Sequence, residues 1–196
     1  KKTEDFAIVK KGEIINVIQA LEGQLITKCI KDKVKTDGEY AIADVEKDNL
    51  KLTVVNRYKD AQPATAFIRS FGLKRGAIAS SVAHDSHNVL GVGTNDAELA
   101  KAVNTVIKHK GGLAIVDGEK TYCLELPVAG LMTCEDGYKV AKRYSELTKV
   151  AKNMGSDLHA PYMTLSFMAL LVIPETKLSD KGLFDAVKFK FMNLFD

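Results

Sequence analysis

The sequence has no tryptophan, only three cysteines and four prolines, and little excess of charge of either sign. The cysteines form no CxxC pair, so neither a disulfide framework nor a structural zinc site is expected, and the reducing cytoplasm is the predicted compartment. Lys and Arg number 28 against 25 acidic residues, a net charge of +3. Because nucleic-acid-binding domains carry a clear basic patch, this small excess predicts no nucleic-acid partner.

Long apolar runs are also missing. The apolar stretch 160–174 contains two prolines and is shorter than the about 20 residues that span a bilayer, so we expect it to be core and expect no membrane partner. With 196 residues, the chain is also shorter than the about 250 residues of a complete (β/α)₈ barrel. Because residue 1 is lysine rather than methionine, the sequence is expected to be a piece of a longer protein.

What the sequence does contain is a set of strand-like segments at its start. The apolar runs that predict strands are 6–9, 13–20, 25–34, 40–45 and 50–56. Asp37-Gly38 lies between two of these runs and is typical of a tight hairpin turn. Residues 1–57 are therefore expected to form a small β module, one part of a sandwich completed by sequence outside this chain. Residues 60–63 are a linker candidate. Residues 58–196 are expected to form a second, α+β domain.

Two main helices are expected in this second domain. Asn95 and Glu98 form a capping-box-like pair at the start of the first helix, which Gly111-Gly112 ends. Thr133 and Asp136 form the corresponding pair for the second helix. Strands and helices are mixed without strict βαβ alternation, so the predicted fold class is α+β, with mixed, mostly antiparallel sheets. The phenylalanines of the C-terminal tail are expected in the core: Phe184, Phe189, Phe191 and Phe195.

The densest group of reactive side chains lies between two apolar runs and consists of His84, Asp85, Ser86, His87 and Asn88. Two histidines in one turn are uncommon, since surface turns favour Asp, Ser and Asn. The pattern indicates acid–base chemistry, hydrogen bonding to a ligand or a structural turn. The HxxH spacing by itself lacks the further ligands that zinc or iron needs, so a self-contained metal site is not expected.

Other patterns indicate chemistry less specifically. Gly91–Asp96 looks like a phosphate loop, but its final carboxylate would repel phosphate, so a turn followed by a helix cap is expected. Arg57 and Arg75 are each expected either to hold an anion or to pair with a surface acid. Cys123 and Cys134 are candidates for the nucleophile of an independent hydrolase, although no neighbouring residue adds support for this role.

A longer resemblance covers most of the chain. The residues from Ser70 to Asn88, SFGLKRGAIASSVAHDSHN, resemble the C-terminal region of the bacterial adenine deaminases, members of the amidohydrolase superfamily. The further matching segments are Val92–Asn95, Ala102–Asn104, Gly111–Gly112, Leu126–Met132, Met163–Phe167, Val172–Glu175 and Lys177–Leu183. The family tends to have His directly after the arginine at Arg57, whereas this chain has Tyr58.

The resemblance implies that the full-length enzyme hydrolyses adenine to hypoxanthine and ammonia. In this family the reaction takes place at an iron or manganese centre in a (β/α)₈ barrel that precedes the region, and the ligands of the barrel begin with HxH. No HxH occurs in this chain, so the resemblance assigns it no metal ligand and no cofactor of its own. The isolated chain is therefore expected to be inactive, and adenine is expected to reach it only through the barrel.

The resemblance leaves two roles open for this region. We expect His84, Asp85, Ser86, His87 and Asn88 to support the active site of the barrel in the full-length enzyme, as catalytic or hydrogen-bonding residues. The alternative is a non-catalytic module for assembly or stability, in which the same turn is only structural. Self-association into a homo-oligomer is expected in either case.

Overall fold

The structure, a computed structural model, describes residues 1–84 and 86–196. In chain order the strands are β1 (Ile8–Val9), β2 (Ile14–Ala20), β3 (Thr27–Lys33), β4 (Lys35–Asp37), β5 (Tyr40–Ile42), β6 (Leu50–Val55), β7 (Ala64–Arg69), β8 (Ala77–Ser80), β9 (Val89–Gly93), β10 (Gly112–Asp117), β11 (Lys120–Glu125), β12 (Thr176–Ser179), β13 (Gly182–Asp185) and β14 (Lys190–Phe191). The helices are α1 (Asp96–Lys108), α2 (Gly137–Asn153) and α3 (Pro161–Ser166), and a 3₁₀ turn covers Thr3–Phe6.

A large sheet forms the centre of the molecule, with its eight strands in the order β11-β10-β8-β9-β6-β7-β2-β3. Neighbouring strands in it are antiparallel except β2 and β7, which run parallel. Two three-stranded sheets, β1-β5-β4 and β12-β13-β14, flank it. Asp37 pairs with Tyr40 across the predicted Asp-Gly turn. The predicted fold class, α+β with mixed and mostly antiparallel sheets, is confirmed.

The strands of residues 1–57, expected to form a small β module, are divided between the small sheet β1-β5-β4 and the large sheet. β2, β3 and β6 all belong to the large sheet, and β6 pairs with both β7 and β9. Every residue of β6 is buried, as is typical of a central strand that is covered on both faces and hydrogen-bonded along both edges. One sheet therefore crosses the predicted boundary at residue 57.

Helices cover both faces of the large sheet, and the strands alternate accordingly. Ala77 and Ala79 of β8 pack in one cluster with Leu99 and Val103 of α1. Ile78, which lies between them, packs in the opposite cluster with residues of α2 and α3. Successive side chains of a strand point to opposite faces, so small residues meet α1 and larger ones meet α2 and α3.

The predicted cap residue of α1 is confirmed, and the predicted cap of α2 is corrected. Asn95 caps α1, and its side-chain oxygen accepts from the backbone N–H of Glu98 at 2.9 Å. Asp136 alone caps α2, accepting from the N–H groups of its first turn. Thr133 instead accepts from the N–H of Glu135, which precedes the helix. Thr133 therefore belongs to a local turn and not to the helix cap.

The tail phenylalanines are divided between core and surface. Phe184 is buried, but Phe189 and Phe191 are mostly exposed and pack edge-on against it, with ring centroids 5.2 and 5.4 Å away. The expectation that all four lie in the core is therefore wrong, because β14 is a two-residue edge strand with no further layer over it.

Across residues 1–84 and 86–196, none of the helices has the length and apolar character needed to cross a bilayer.

Candidate functional site

The candidate site is the connection between β8 and β9, in which His84 lies at the start of the turn. The backbone N–H of His84 donates to the carbonyl of Ser166, the last residue of α3, at 2.7 Å. Its imidazole stacks on the ring of Phe167, with centroids 4.6 Å apart and planes at 29°. The backbone bond and the stacked ring together fix the direction of this imidazole.

His87 occupies a backbone conformation that side chains other than glycine adopt rarely. Its φ is 52°, and its N–H donates to the carbonyl of Ala83 at 2.8 Å, closing the turn. Its ring meets that of His84 edge-on at 5.9 Å. The Nδ1 atom of His87 is buried and has no hydrogen-bond partner within residues 1–84 and 86–196. A buried imidazole nitrogen of this kind can donate to or accept from a group outside the described residues, depending on its tautomer.

The other predicted site residues differ in exposure. Asn88 is buried, and its side-chain oxygen accepts from the backbone N–H of Arg57 at 3.2 Å. Ser86 is exposed, and its carbonyl accepts from the phenolic hydroxyl of Tyr58 at 2.9 Å. Asp85 lies outside the described residues. The structure thus brings His84, His87 and Asn88 together, while the exposed Ser86 interacts through its backbone.

Arg57, a candidate from the sequence for anion binding or a surface ion pair, belongs to this site through partners that the sequence did not indicate. Its guanidinium donates to the carbonyls of His87 at 3.3 Å and of Ala129 at 2.7 Å. Gly130 has a φ of 75°, which residues with a side chain rarely adopt, and a Cβ atom there would lie 2.5 Å from Nη1 of Arg57, so a larger residue would strain the backbone and shift the guanidinium. Arg57 therefore binds two backbone carbonyls, and within residues 1–84 and 86–196 no surface acid pairs with it. No local signal in the sequence indicates this pairing.

Segment 126–132 is held to the site from a second side as well. The hydroxyl of Ser81 donates to the carbonyl of Gly130 at 2.5 Å and accepts from the N–H of Gly112 at 2.8 Å. Ser81 is buried and precedes His84 by three residues. The start of the turn and segment 126–132 are consequently one connected unit.

The space beside the turn is small. A cavity of about 100 Å³ is lined by side chains that include His87, Asn88, Val172 and Asp180. Sites for small molecules in proteins usually enclose about 300–1,000 Å³. Across Arg57 lies a cleft of about 480 Å³, whose lining includes Tyr58. The cavity beside the turn is therefore too small to enclose a ligand by itself.

The other candidates from the sequence have structural roles. Arg75 forms a two-pronged ion pair with Asp117, at 2.6 and 3.1 Å, and this partner lowers the pKa of Asp117. Burial raises the pKa of Cys123 to about 11, so its thiol is protonated and unreactive at neutral pH. Gly91–Asp96 forms the end of β9 and the cap of α1, as expected.

The described residues do not fit a metal centre. Within residues 1–84 and 86–196, no three or more His, Cys, Asp or Glu side chains are placed to hold an ion together. Of the remaining histidines, His109 pairs with Glu125 at 2.9 Å and His159 is exposed.

Comparison with known proteins decides the family. The family model described as "Adenine deaminase C-terminal domain" matches residues 24–190. The chain belongs to this family. The match includes Arg57, the whole turn and segment 126–132, and it confirms the resemblance inferred from the sequence.

Curated relatives of this family are much longer than the chain. It is 52% identical over 198 residues to an adenine deaminase of Sulfurovum sp. (strain NBC37-1), 51% over 193 residues to one of Salinibacter ruber, and 48% over 181 residues to one of Methanosarcina acetivorans. These alignments cover 98%, 97% and 92% of the chain but only 35%, 35% and 33% of the relatives. The chain thus spans about a third of the length of the curated relatives it matches.

Proposed function

We propose that this chain is the C-terminal domain of an adenine deaminase, which hydrolyses adenine with water to hypoxanthine and ammonia. The observation that carries the proposal is the family match over residues 24–190, together with relatives that bear this name. The chemistry belongs to the whole protein. The iron or manganese centre is assigned to the part outside this chain, since the described residues form no group that fits a metal.

The turn is proposed to support the active site of that other part. His84, Asp85, Ser86, His87 and Asn88 would form one wall of the purine site or assist proton transfer. Adenine presents ring nitrogens that accept hydrogen bonds and an amino group that leaves as ammonia once protonated, and an imidazole can serve either need. The stacked ring of His84 and the buried Nδ1 of His87 support this assignment.

Two further features are proposed for the full-length protein. The cytoplasm is the proposed compartment, supported by three free cysteines, of which Cys134 is exposed. Self-association into a homo-oligomer is also proposed for the full-length protein.

The role of the turn is tested by substitution in the full-length protein. His84→Ala and His87→Ala are each expected to lower kcat/KM for adenine by about tenfold or more, because each removes a group that contacts substrate or carries a proton. Since His87 has a positive φ, His87→Asn is included, as asparagine tolerates this conformation and separates loss of the imidazole from backbone strain. The exposed His159 provides the control: His159→Ala is expected to leave kcat/KM unchanged.

Ammonia release and the conversion of adenine to hypoxanthine measure the turnover of each variant. If His84→Ala and His87→Ala keep normal turnover but lower the melting temperature or change the oligomeric state, the turn belongs to an assembly or stability module. That result would refute the proposed role in the reaction and leave the family assignment intact.

A further inference from the structure

Exposed apolar side chains surround the site turn. Tyr58 is 66% exposed, Met132 58% and Val172 67%, and Val128 is also exposed. We name the surface formed by Tyr58, Val128, Met132 and Val172 together with His87 the turn face. Scattered apolar residues are normal on a protein surface, whereas a contiguous group usually marks an interaction site.

Hydrogen bonds and a shared cavity show that these residues form one surface. The hydroxyl of Tyr58 donates to the carbonyl of Ser86. Val128 and Met132 are joined by backbone hydrogen bonds of 2.9 and 3.0 Å, and Arg57 binds the carbonyl between them at Ala129. Val172 lines the same cavity as His87. The residues of the turn face are therefore each tied to the turn or to Arg57.

Segment 126–132 of the turn face is held in place by bonds from Arg57 and Ser81. Gly130 fits against Arg57 without room for a Cβ atom, and Ser81 is bonded to the same segment. A preorganised surface loses little conformational entropy on association, which favours a stable contact. Contacts of this kind between domains of one chain typically bury about 600–1,500 Å².

The position of Lys1 indicates which partner covers this surface. Nζ of Lys1 donates to the carboxylate of Asp60 at 2.8 Å and to the carbonyl of Ala61 at 2.9 Å, and its backbone nitrogen lies 2.7 Å from Oδ1 of Asn104. Lys1 and Tyr58 line the same cleft. Polypeptide joined to Lys1 would thus reach the molecule beside the turn face, and the relatives have about two thirds of their length outside the matched region.

From these observations we propose that the turn face docks onto the polypeptide that precedes Lys1 in the full-length protein. This inference rests on one part of the proposed function, namely that the chain is the C-terminal domain of a longer polypeptide. It extends the proposal by naming the contact surface: Tyr58, Val128, Met132 and Val172 are buried in the whole protein, and the apolar contact closes the open side of the cavity beside His87.

Thiol accessibility in the full-length protein tests the docking. Val172→Cys and Met132→Cys report on the turn face. Val187→Cys is the matched control, because Val187 is the same residue type with nearly the same exposure, 69% against 67% for Val172. Each variant is alkylated with iodoacetamide, and mass spectrometry quantifies the modified peptide relative to the denatured protein. Docking predicts that the thiols at 132 and 172 react about tenfold or more slowly than the thiol at 187, since reactivity follows access.

Three results would be decisive. Slow reaction at 132 and 172 that is independent of protein concentration supports docking within one polypeptide. Fast reaction at both positions, or protection that disappears when an oligomer dissociates on dilution, overturns it, the latter in favour of a second copy as the partner. Backbone hydrogen exchange of segment 126–132 in the unsubstituted full-length protein gives a second measurement that does not depend on the substitutions.

Adenine turnover is measured on the same preparations. If the protein deaminates adenine but the thiols at 132 and 172 react fast, the docking is overturned while the proposed function stands. Protected thiols in a protein that does not deaminate adenine would refute the proposed function while the docking stands.

Discussion

Arg57 joins three segments that are far apart in the chain. It follows β6, and its guanidinium donates to carbonyls of the site turn and of segment 126–132. The positions of His87 and Gly130 thus depend on one side chain. Backbone carbonyls have no residue-type signature, so neither partner of Arg57 is recognisable from the sequence. The histidines, in contrast, are recognisable because their type is itself unusual in a turn.

Lys177 provides a prediction at the same scale. Its side chain is fully buried, Nζ donates to the carbonyl of Leu25 at 2.7 Å, and burial lowers its pKa from 10.5 to about 8. Between these two pKa values the unfolded chain binds more protons than the folded one, so the contribution of Lys177 to stability rises with pH through this window and is smallest below it.

Lys177→Met removes this dependence while keeping a side chain of similar length. The free energy of unfolding of the variant, minus that of the parent, is therefore expected to be larger at about pH 7 than at about pH 10. Denaturant titrations of both proteins at the two pH values measure the difference. Equal differences at both pH values would contradict a lowered pKa for Lys177.

At the scale of elements, α1 shows how far local signals reach. Asn95 caps it as predicted, but Glu98 does not close a reciprocal box with the backbone of Asn95. Its carboxylate accepts from the N–H groups of Gly76 at 3.0 Å and Gly118 at 2.8 Å, beside its bond to the Asn95 side chain. One helix end therefore connects the start of β8 with the turn after β10, and only the cap itself is local in sequence.

Removal of this cap is expected to have a measurable cost. Asn95→Ala leaves the N–H of Glu98 without its acceptor and is predicted to destabilise the protein by about 1 kcal/mol, whereas Asn95→Ser keeps a capping oxygen and costs much less. Thermal unfolding of both variants, followed by circular dichroism, measures the difference. A similar loss in the two variants would show that the cap bond is not the cause.

At the scale of the whole molecule, the chain combines an eight-stranded sheet with a small cavity beside the histidine turn. β6 lies in the middle of the sheet and before the predicted domain boundary, whereas both of its partners, β7 and β9, lie after that boundary. The turn that carries His84 and His87 lies at one end of this framework, beside a cavity that is too small to enclose a substrate. Support for the reaction of another part of the protein is consistent with both features.

The lack of a metal-ligand group among the described residues leads to a prediction for the chain alone. Purified residues 1–196 are expected to show no conversion of adenine to hypoxanthine, since the described residues place no set of ligands for a metal. Ammonia release is measured with and without added iron or manganese, and the full-length protein under the same conditions is the control. Turnover by the purified chain would contradict the assignment of the chemistry to the remaining polypeptide.

The sequence by itself determined the α+β class, the Asp37-Gly38 hairpin, the cap of α1 and the family. Each of these depends on residues close together in the chain or on a long continuous match, and local hydrogen bonds and periodicity leave signals that can be read directly. It also indicated the histidine turn, because two neighbouring imidazoles are themselves the signal.

Only the tertiary structure decided where those residues lie relative to one another. The place of β6 between β7 and β9, the bonds of Arg57 to two distant carbonyls and the exposure of Phe189 and Phe191 all result from long-range pairing. Backbone N–H and C=O groups are the same in every residue, so the local sequence does not show which of them pair. Whether a side chain is covered depends on layers formed by distant segments, so it is decided only in the folded protein.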